Sequence, residues 1–162
     1  MSDRVDATIT IGGPLPADRL EALIDAIEED ALGPEWDATF LTRDEVVAYL
    51  QDGAEGVTLY AREVASGELP SVQAFCVEVG LSYVLTYDGY GCQWGPARRI
   101  RRPGDEGEGV TCSLNADCGS ACVTLGDIRY LGLADLEAVL AHLALFDDPH
   151  VPPLDIEGAG SS

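Results

Sequence analysis

Apolar and polar positions alternate over residues 5–11 (VDATITI), and the β-branched content there predicts a first strand, ended by Gly12, Gly13 and Pro14. The period then changes. Leu20, Leu23, Ile24 and Ile27 recur at i, i+3, i+4 and i+7, which predicts a helix over 16–32, with Pro16 in its first turn and Gly33-Pro34 beyond its end. A short strand is expected over 37–41. Thr42-Arg43-Asp44-Glu45 reads as a capping box that starts a second helix, with Val46, Val47 and Leu50 inward and Gly53 as its stop. Residues 57–64 (VTLYAREV) predict a second strand. Over 67–80 two patterns compete. Val77 and Val79 suit a strand, but Val72, Phe75, Cys76 and Val79 keep helical spacing, Pro70 suits a first turn and Gly80 a left-handed cap, so a helix is expected.

The stretch 81–131 holds most of the remaining strand signals. Leu81, Tyr83, Leu85 and Tyr87 share one face of a strand, and Asp88-Gly89-Tyr90-Gly91 reads as a turn. The chain returns over 92–102, interrupted at Gly95-Pro96, and 103–107 is a polar loop. A hairpin follows, and its register can be argued. Pairing Val110 with Leu125, Cys112 with Val123 and Leu114 with Ala121 places all six on one face, whereas a one-residue slip mixes them with Thr111, Ser113, Cys122 and Thr124. That register leaves 115–120 as the loop. A last helix over 133–146 puts Leu133, Leu136, Leu140, Leu143 and Phe146 on its buried stripe. This order predicts an α+β fold, a mostly antiparallel sheet with three to four helices packed on one face. One domain is expected over 1–154, with 155–162 as a flexible Gly/Ser tail.

Charge changes this picture more than any motif. The chain has 162 residues, net charge −20, 29 carboxylates and no Lys, its nine cations all being Arg. A lysine-based phosphate loop or Schiff base is therefore excluded. Such a balance opposes nucleic-acid and anionic-membrane binding and favours basic partners. The excess is uneven. Residues 1–80 carry 17 acids and four Arg (net −13), 81–131 six acids and five Arg (net −1), and 132–162 six acids and no Arg (net −6). No targeting leader or membrane span is evident, so a cytoplasmic, reducing compartment and thiol cysteines are expected.

The candidate chemistry is sparse. Cys92, Cys112, Cys118 and Cys122 lack the close pairs of a structural zinc site, and the hairpin register sends Cys112, Cys118 and Cys122 apart, so no metal and no cofactor is expected. Asp117 beside Cys118 is expected to raise its thiol pKa. His142 and His150 have no partner nearby in sequence, and His142 suits the end of its helix. No Gly-rich phosphate motif is present, and no carboxylate pair stands out among so many, so no catalytic residue is assigned.

The first helix differs from an ordinary solvated face. Asp18, Glu21, Asp25 and Glu28 form one stripe, and only Arg19 lies near enough along the helix to offset them. At ~1.5 Å rise per residue the charges repeat every ~4.5–6 Å, on the scale of a phosphate backbone. The expected partner-binding set is Asp18, Glu21, Asp25, Glu28 and Glu29, with Asp44, Glu45 and Asp52 from the next helix. A secondary patch joins Tyr90 and Trp94 to Arg98, Arg99, Arg101 and Arg102, residue types that dominate interface energies. Arg98 and Arg102 fall on one strand face, Arg99 and Arg101 on the other.

In size, acidity and lack of a catalytic motif, the chain is similar to small phage- or plasmid-encoded inhibitors, including anti-CRISPR and antirestriction proteins that occupy nucleic-acid sites. That resemblance implies a non-enzymatic inhibitor that binds a basic surface of a nucleic-acid-binding protein. The alternatives are a small enzyme or ligand-binding domain with a pocket for an anionic molecule (Tyr83, Tyr87, Tyr90, Trp94 and the Arg cluster) and an immunity-type interaction module.

Overall fold

Alternation carries the first strand further than its glycines suggested. In the computed structural model, which describes residues 4–52, 55–91 and 93–157, strand β1 spans Arg4–Leu15 and passes straight through Gly12, Gly13 and Pro14. Gly12 permits this by its size: a Cβ there would overlap the carbonyl oxygen of Pro152. Past that crossing, β1 gains a parallel partner, β7 (Leu154–Ile156), through Gly13, Pro14 and Leu15. The expected tail boundary therefore moves. Asp155 and Ile156 belong to the sheet, and 158–162 lie outside the described residues.

A 3-10 turn, Ala17–Arg19, leads into α1 (Leu20–Glu29). The expected strand over 37–41 does not form. Instead Gly33 bridges Tyr60 and Glu35 bridges Ala38, so this segment folds around the sheet edge as turns. Helix α2 (Arg43–Gln51) begins at the predicted cap, where Thr42 Oγ1 accepts from the Glu45 amide at 3.2 Å. The return arm differs, because the Glu45 carboxylate accepts from the Leu41 amide at 2.7 Å. Gly53, its expected stop, lies outside the described residues.

Strand β2 (Val57–Ala65) pairs antiparallel with β1, and α3 (Pro70–Val79) ends at Gly80 with φ 89°, the left-handed cap its sequence predicts. The central strands β3 (Ser82–Tyr87), β4 (Ala97–Arg101), β5 (Val110–Leu114) and β6 (Ala121–Cys122) extend the sheet in the order β2-β1-β3-β4-β5-β6. Ser113 pairs with Cys122 and Leu114 with Ala121, which is the predicted register. The hairpin is shorter than predicted. Thr124 and Asp127 form a reciprocal capping box, which turns the chain into α4 (Leu125–Leu131). Leu125 thus sits on a helix instead of facing Val110, and both are exposed. Gly132 ends α4, and α5 (Leu136–Asp147) follows from an Asp135 cap.

The strands separate two cores by side-chain parity. Ile9, Ile11, Leu59, Tyr83 and Leu85 face one side, where Leu23, Ile24 and Ile27 of α1, Val46 and Leu50 of α2, and Val72, Phe75 and Cys76 of α3 cover them. Those three helices share one face, as the element order predicts. Val84, Ile100, Cys112, Leu114 and Ala121 face the other side and meet Phe146 of α5. That second core is much smaller. Of the stripe predicted for the last helix, Phe146 is buried and Leu133 and Leu143 are half-buried, but Leu136 and Leu140 are exposed. The physical cause is the short edge: β6 offers a two-residue strand, so no wide sheet surface lies beneath the first turns of α5.

Candidate functional site

The acidic face is built on α1 and the start of α2. The inward residues of α1 bind it to the sheet, so its acidic stripe must face outward. That stripe is offset by a cation from the neighbouring helix. The Arg43 guanidinium meets Glu21 at 2.6 Å, Asp25 at 3.0 Å and Glu28 at 3.1 Å. Hydrogen bonds to Glu21 and then Asp25 raise its pKa, so it stays charged at any working pH. The expectation that only Arg19 could offset the stripe is thus corrected. Arg19 instead pairs with Glu78 of α3 at 3.0 Å. The clamp also fixes three carboxylates in one arrangement. A pocket of about 340 Å³ adjoins the clamp, with Ile27, Leu32, Phe40 and Val46 among its walls.

The remaining predicted members divide. Asp18, Asp44 and Asp52 are exposed, Asp18 in the 3-10 turn and Asp52 at the far end of α2. Glu45 binds the Leu41 amide, and Glu29 turns towards α3, where it accepts from Ser71 Oγ at 2.8 Å. Asp30 has a structural task. It accepts from the backbone amides of Val72 at 2.8 Å and Ser71 at 3.3 Å, capping α3 from another element because the N-cap residue, Leu69, has no side-chain acceptor. Burial nevertheless outweighs those bonds and raises its pKa.

The secondary patch comes apart in the same way. Arg98 reaches across the smaller core to donate to Thr86 Oγ1 at 3.0 Å and to the carbonyl of Phe146, near the C-terminus of α5, where positive charge is favoured. Arg99, on the opposite face, pairs with Glu68 at 3.0 Å and Glu108 at 3.5 Å. Arg101 is buried and donates to the carbonyls of Leu81 (2.7 Å), Gly107 (2.8 Å) and Asp105 (3.1 Å). Arg102 meets Asp105 at 3.4 Å, and the Arg102 amide also donates to that carboxylate and lowers its pKa. The four guanidinia therefore hold the sheet to its surroundings and do not converge on a common opening. Tyr83 is buried too, donating to the Glu108 carbonyl at 2.6 Å. Tyr90 and Trp94 stack at 5.3 Å beside a cleft of about 510 Å³ bordered by Tyr87, Pro96, Arg98 and Asn115.

The thiols separate as the hairpin register requires. Cys112 faces the smaller core, Cys122 lies on the opposite side and Cys118 is at the loop tip, while Cys92 is outside the described residues. Burial pushes the Cys76 thiol up to about 12 and raises Cys112 as well. Cys118 runs against its expectation: hydrogen bonding from Ser120 lowers its pKa and outweighs the opposing effect of Asp117. The His142 ring packs against Phe146, centroids 5.1 Å apart. Among the described residues no helix is long and apolar enough to cross a membrane.

Sequence patterning missed two features. One is Arg43 as the hub of the acidic face. The other is an exposed apolar run on α4 and α5, for which LEAVLAHLALFD was itself the signal: it carries apolar residues on every side and has few charges. No protein-family model, curated protein or solved structure matches the chain.

Proposed function

We propose that this is a non-enzymatic, strongly acidic binding protein whose α1–α2 face occupies a basic surface of a nucleic-acid-binding protein, as a nucleic-acid mimic of the phage or plasmid type. The observation that carries the reading is the fate of the positive charge. Eight arginines are engaged within the molecule: Arg4 with the Glu63 carbonyl, Arg62 with Asp6 and Asp37, and the six described above. The surplus carboxylates thus dominate the exposed charge. On α1, Arg43 removes one unit from the stripe and in return holds Glu21, Asp25 and Glu28 in place. A charge array fixed before binding loses less entropy on docking than a loose one.

Displacement of labelled duplex DNA from a guide-loaded CRISPR nuclease and from a restriction enzyme tests the proposal. The protein is expected to displace DNA from at least one of them, and at least about tenfold less well at ~0.3 M than at ~0.1 M salt. Asp18→Arg, Asp44→Arg and Asp52→Arg together, none of which touches Arg43, are expected to abolish displacement. Failure to displace DNA from either enzyme, or displacement indifferent to salt and to these reversals, overturns the proposal.

A further inference from the structure

Helix α5 presents a surface that nothing else among the described residues resembles. Its outward residues are Leu136, Glu137, Leu140, Ala141 and Ala144, with Leu136 72% and Leu140 56% exposed. The preceding helix, α4, joined to it through Gly132, adds Leu125 at 62% and Tyr130 at 90%. Beside Tyr130 is Arg129, exposed and the one arginine with no internal partner among the described residues. An apolar run of this kind on a molecule of net charge −20 is not ordinary surface composition. The helix is held at its other end, where Phe146 is buried, Arg98 binds the Phe146 carbonyl and Asp147 accepts from the Ala121 amide at 2.6 Å. Its first turns are therefore presented by a fixed support.

We infer that α4 and the first turns of α5 form a docking face for a partner protein that offers an apolar groove rimmed by basic groups. Charge decides the occupant. Residues 125–140 carry three carboxylates (Asp127, Asp135, Glu137) and one Arg, net −2. In a second copy, the same −2 would lie across a helix pair at ~8–10 Å, about one Debye length at physiological salt. A groove rimmed by Lys or Arg meets the same carboxylates with the opposite sign. Leu136 and Leu140 at i and i+4 are the anchor spacing of a helix laid in a groove. This rests on the reading of a basic partner given above and assigns it an apolar anchor.

The test uses two peptides of equal positive charge on the whole protein, an amphipathic Leu/Lys helix and an oligolysine, with calorimetry and amide chemical-shift mapping. The amphipathic peptide is expected to bind more tightly and to shift resonances of 125–140. L136E/L140E is expected to weaken it by at least about tenfold. The oligolysine is expected to be indifferent to that variant and sensitive to D18R/D44R/D52R. Equal binding of both peptides, or no effect of L136E/L140E, overturns the apolar anchor and leaves the acidic-face proposal to its DNA-displacement test. A wild-type dimer in sedimentation equilibrium that L136E/L140E disperses overturns the inference in favour of a second copy. Both leucines are exposed, so each variant is expected to keep the fold, which circular dichroism checks.

Discussion

Helices α1 and α5 are both short and both flank the same sheet, yet they stand in opposite relations to it. The apolar residues of α1 lie against the larger core, and its outer face is a row of carboxylates held by Arg43. α5 has more apolar residues than its small core can cover, and the surplus faces outward. Helix pattern sets which side chains share a face. It does not set how much partner surface awaits them. β1, the longest strand, pairs with three others and supports the broad core, whereas β6 is two residues long. The difference is one of supply: wide sheet under α1, little under the first turns of α5.

The sharpest way to break that comparison is by truncation. Ile27→Ala in α1 is predicted to cost roughly 2–5 kcal/mol, the range for an aliphatic side chain removed from a close-packed core. Leu136→Ala and Leu140→Ala in α5 are predicted to stay within about 0.5 kcal/mol. Urea unfolding measures both, and a large loss from either α5 variant would mean that the helix is packed after all. Next in size is Gly12→Ala. A Cβ at that position overlaps Pro152, and overpacking of this kind costs typically ~1–3 kcal/mol. Because the crossing lies at the junction with β7, hydrogen exchange in 151–156 should accelerate first; unchanged exchange there would show that the tail is not held by this contact.

A smaller effect tests the caps. Asp30→Ala removes the acceptor that serves α3 and is predicted to cost about 1 kcal/mol. Asp135→Ala at the start of α5 should cost a similar amount, though with less tertiary packing behind it. Asp30 also carries a pH signature. Its folded-state pKa is raised by burial, so the folded protein holds this proton more firmly than the unfolded chain. Its contribution is therefore fully present below the ordinary carboxylate pKa and is lost as pH rises through the raised value. Asp30→Asn keeps an acceptor for the cap and should remove that slope from the stability–pH curve of the native protein; an identical slope in the variant would rule it out. The smallest expected effect is Arg43→Gln. The clamp is exposed, and salt screens such pairs. The melting temperature should fall slightly at low salt, and the difference from the native protein should close as salt is raised. A gap that persists at high salt would mean that Arg43 acts by packing.

Much of the fold was legible for local reasons. The i, i+3, i+4, i+7 spacing marked α1, Thr42 marked the start of α2, and Pro70 and Gly80 bracketed α3. The β5–β6 register followed from keeping Cys112, Leu114 and Ala121 on one face. Helix α4 was overlooked, although Thr124-Leu125-Gly126-Asp127 is a readable capping box, because the alternation of 121–125 invited a longer strand. The candidate site was legible only in part. The acidic stripe follows from helical geometry, but its clamp comes from a residue 15 or more positions away, and no local pattern shows that Arg43 turns back towards α1.

The sequence by itself determined what periodicity, caps and charge count can encode: an α+β chain with an antiparallel sheet, an acidic first helix and a surplus of carboxylates. Tertiary structure alone decided the accounting between elements. It committed Arg98 and Arg101 to backbone carbonyls, turned Asp30 into the cap of another helix, and left Leu136 and Leu140 without cover. The physical reason is the range of each interaction. Helical and strand periods are set by neighbours a few residues apart. Burial and ion pairing depend on which distant segments come to lie alongside, and how much surface they have left to give.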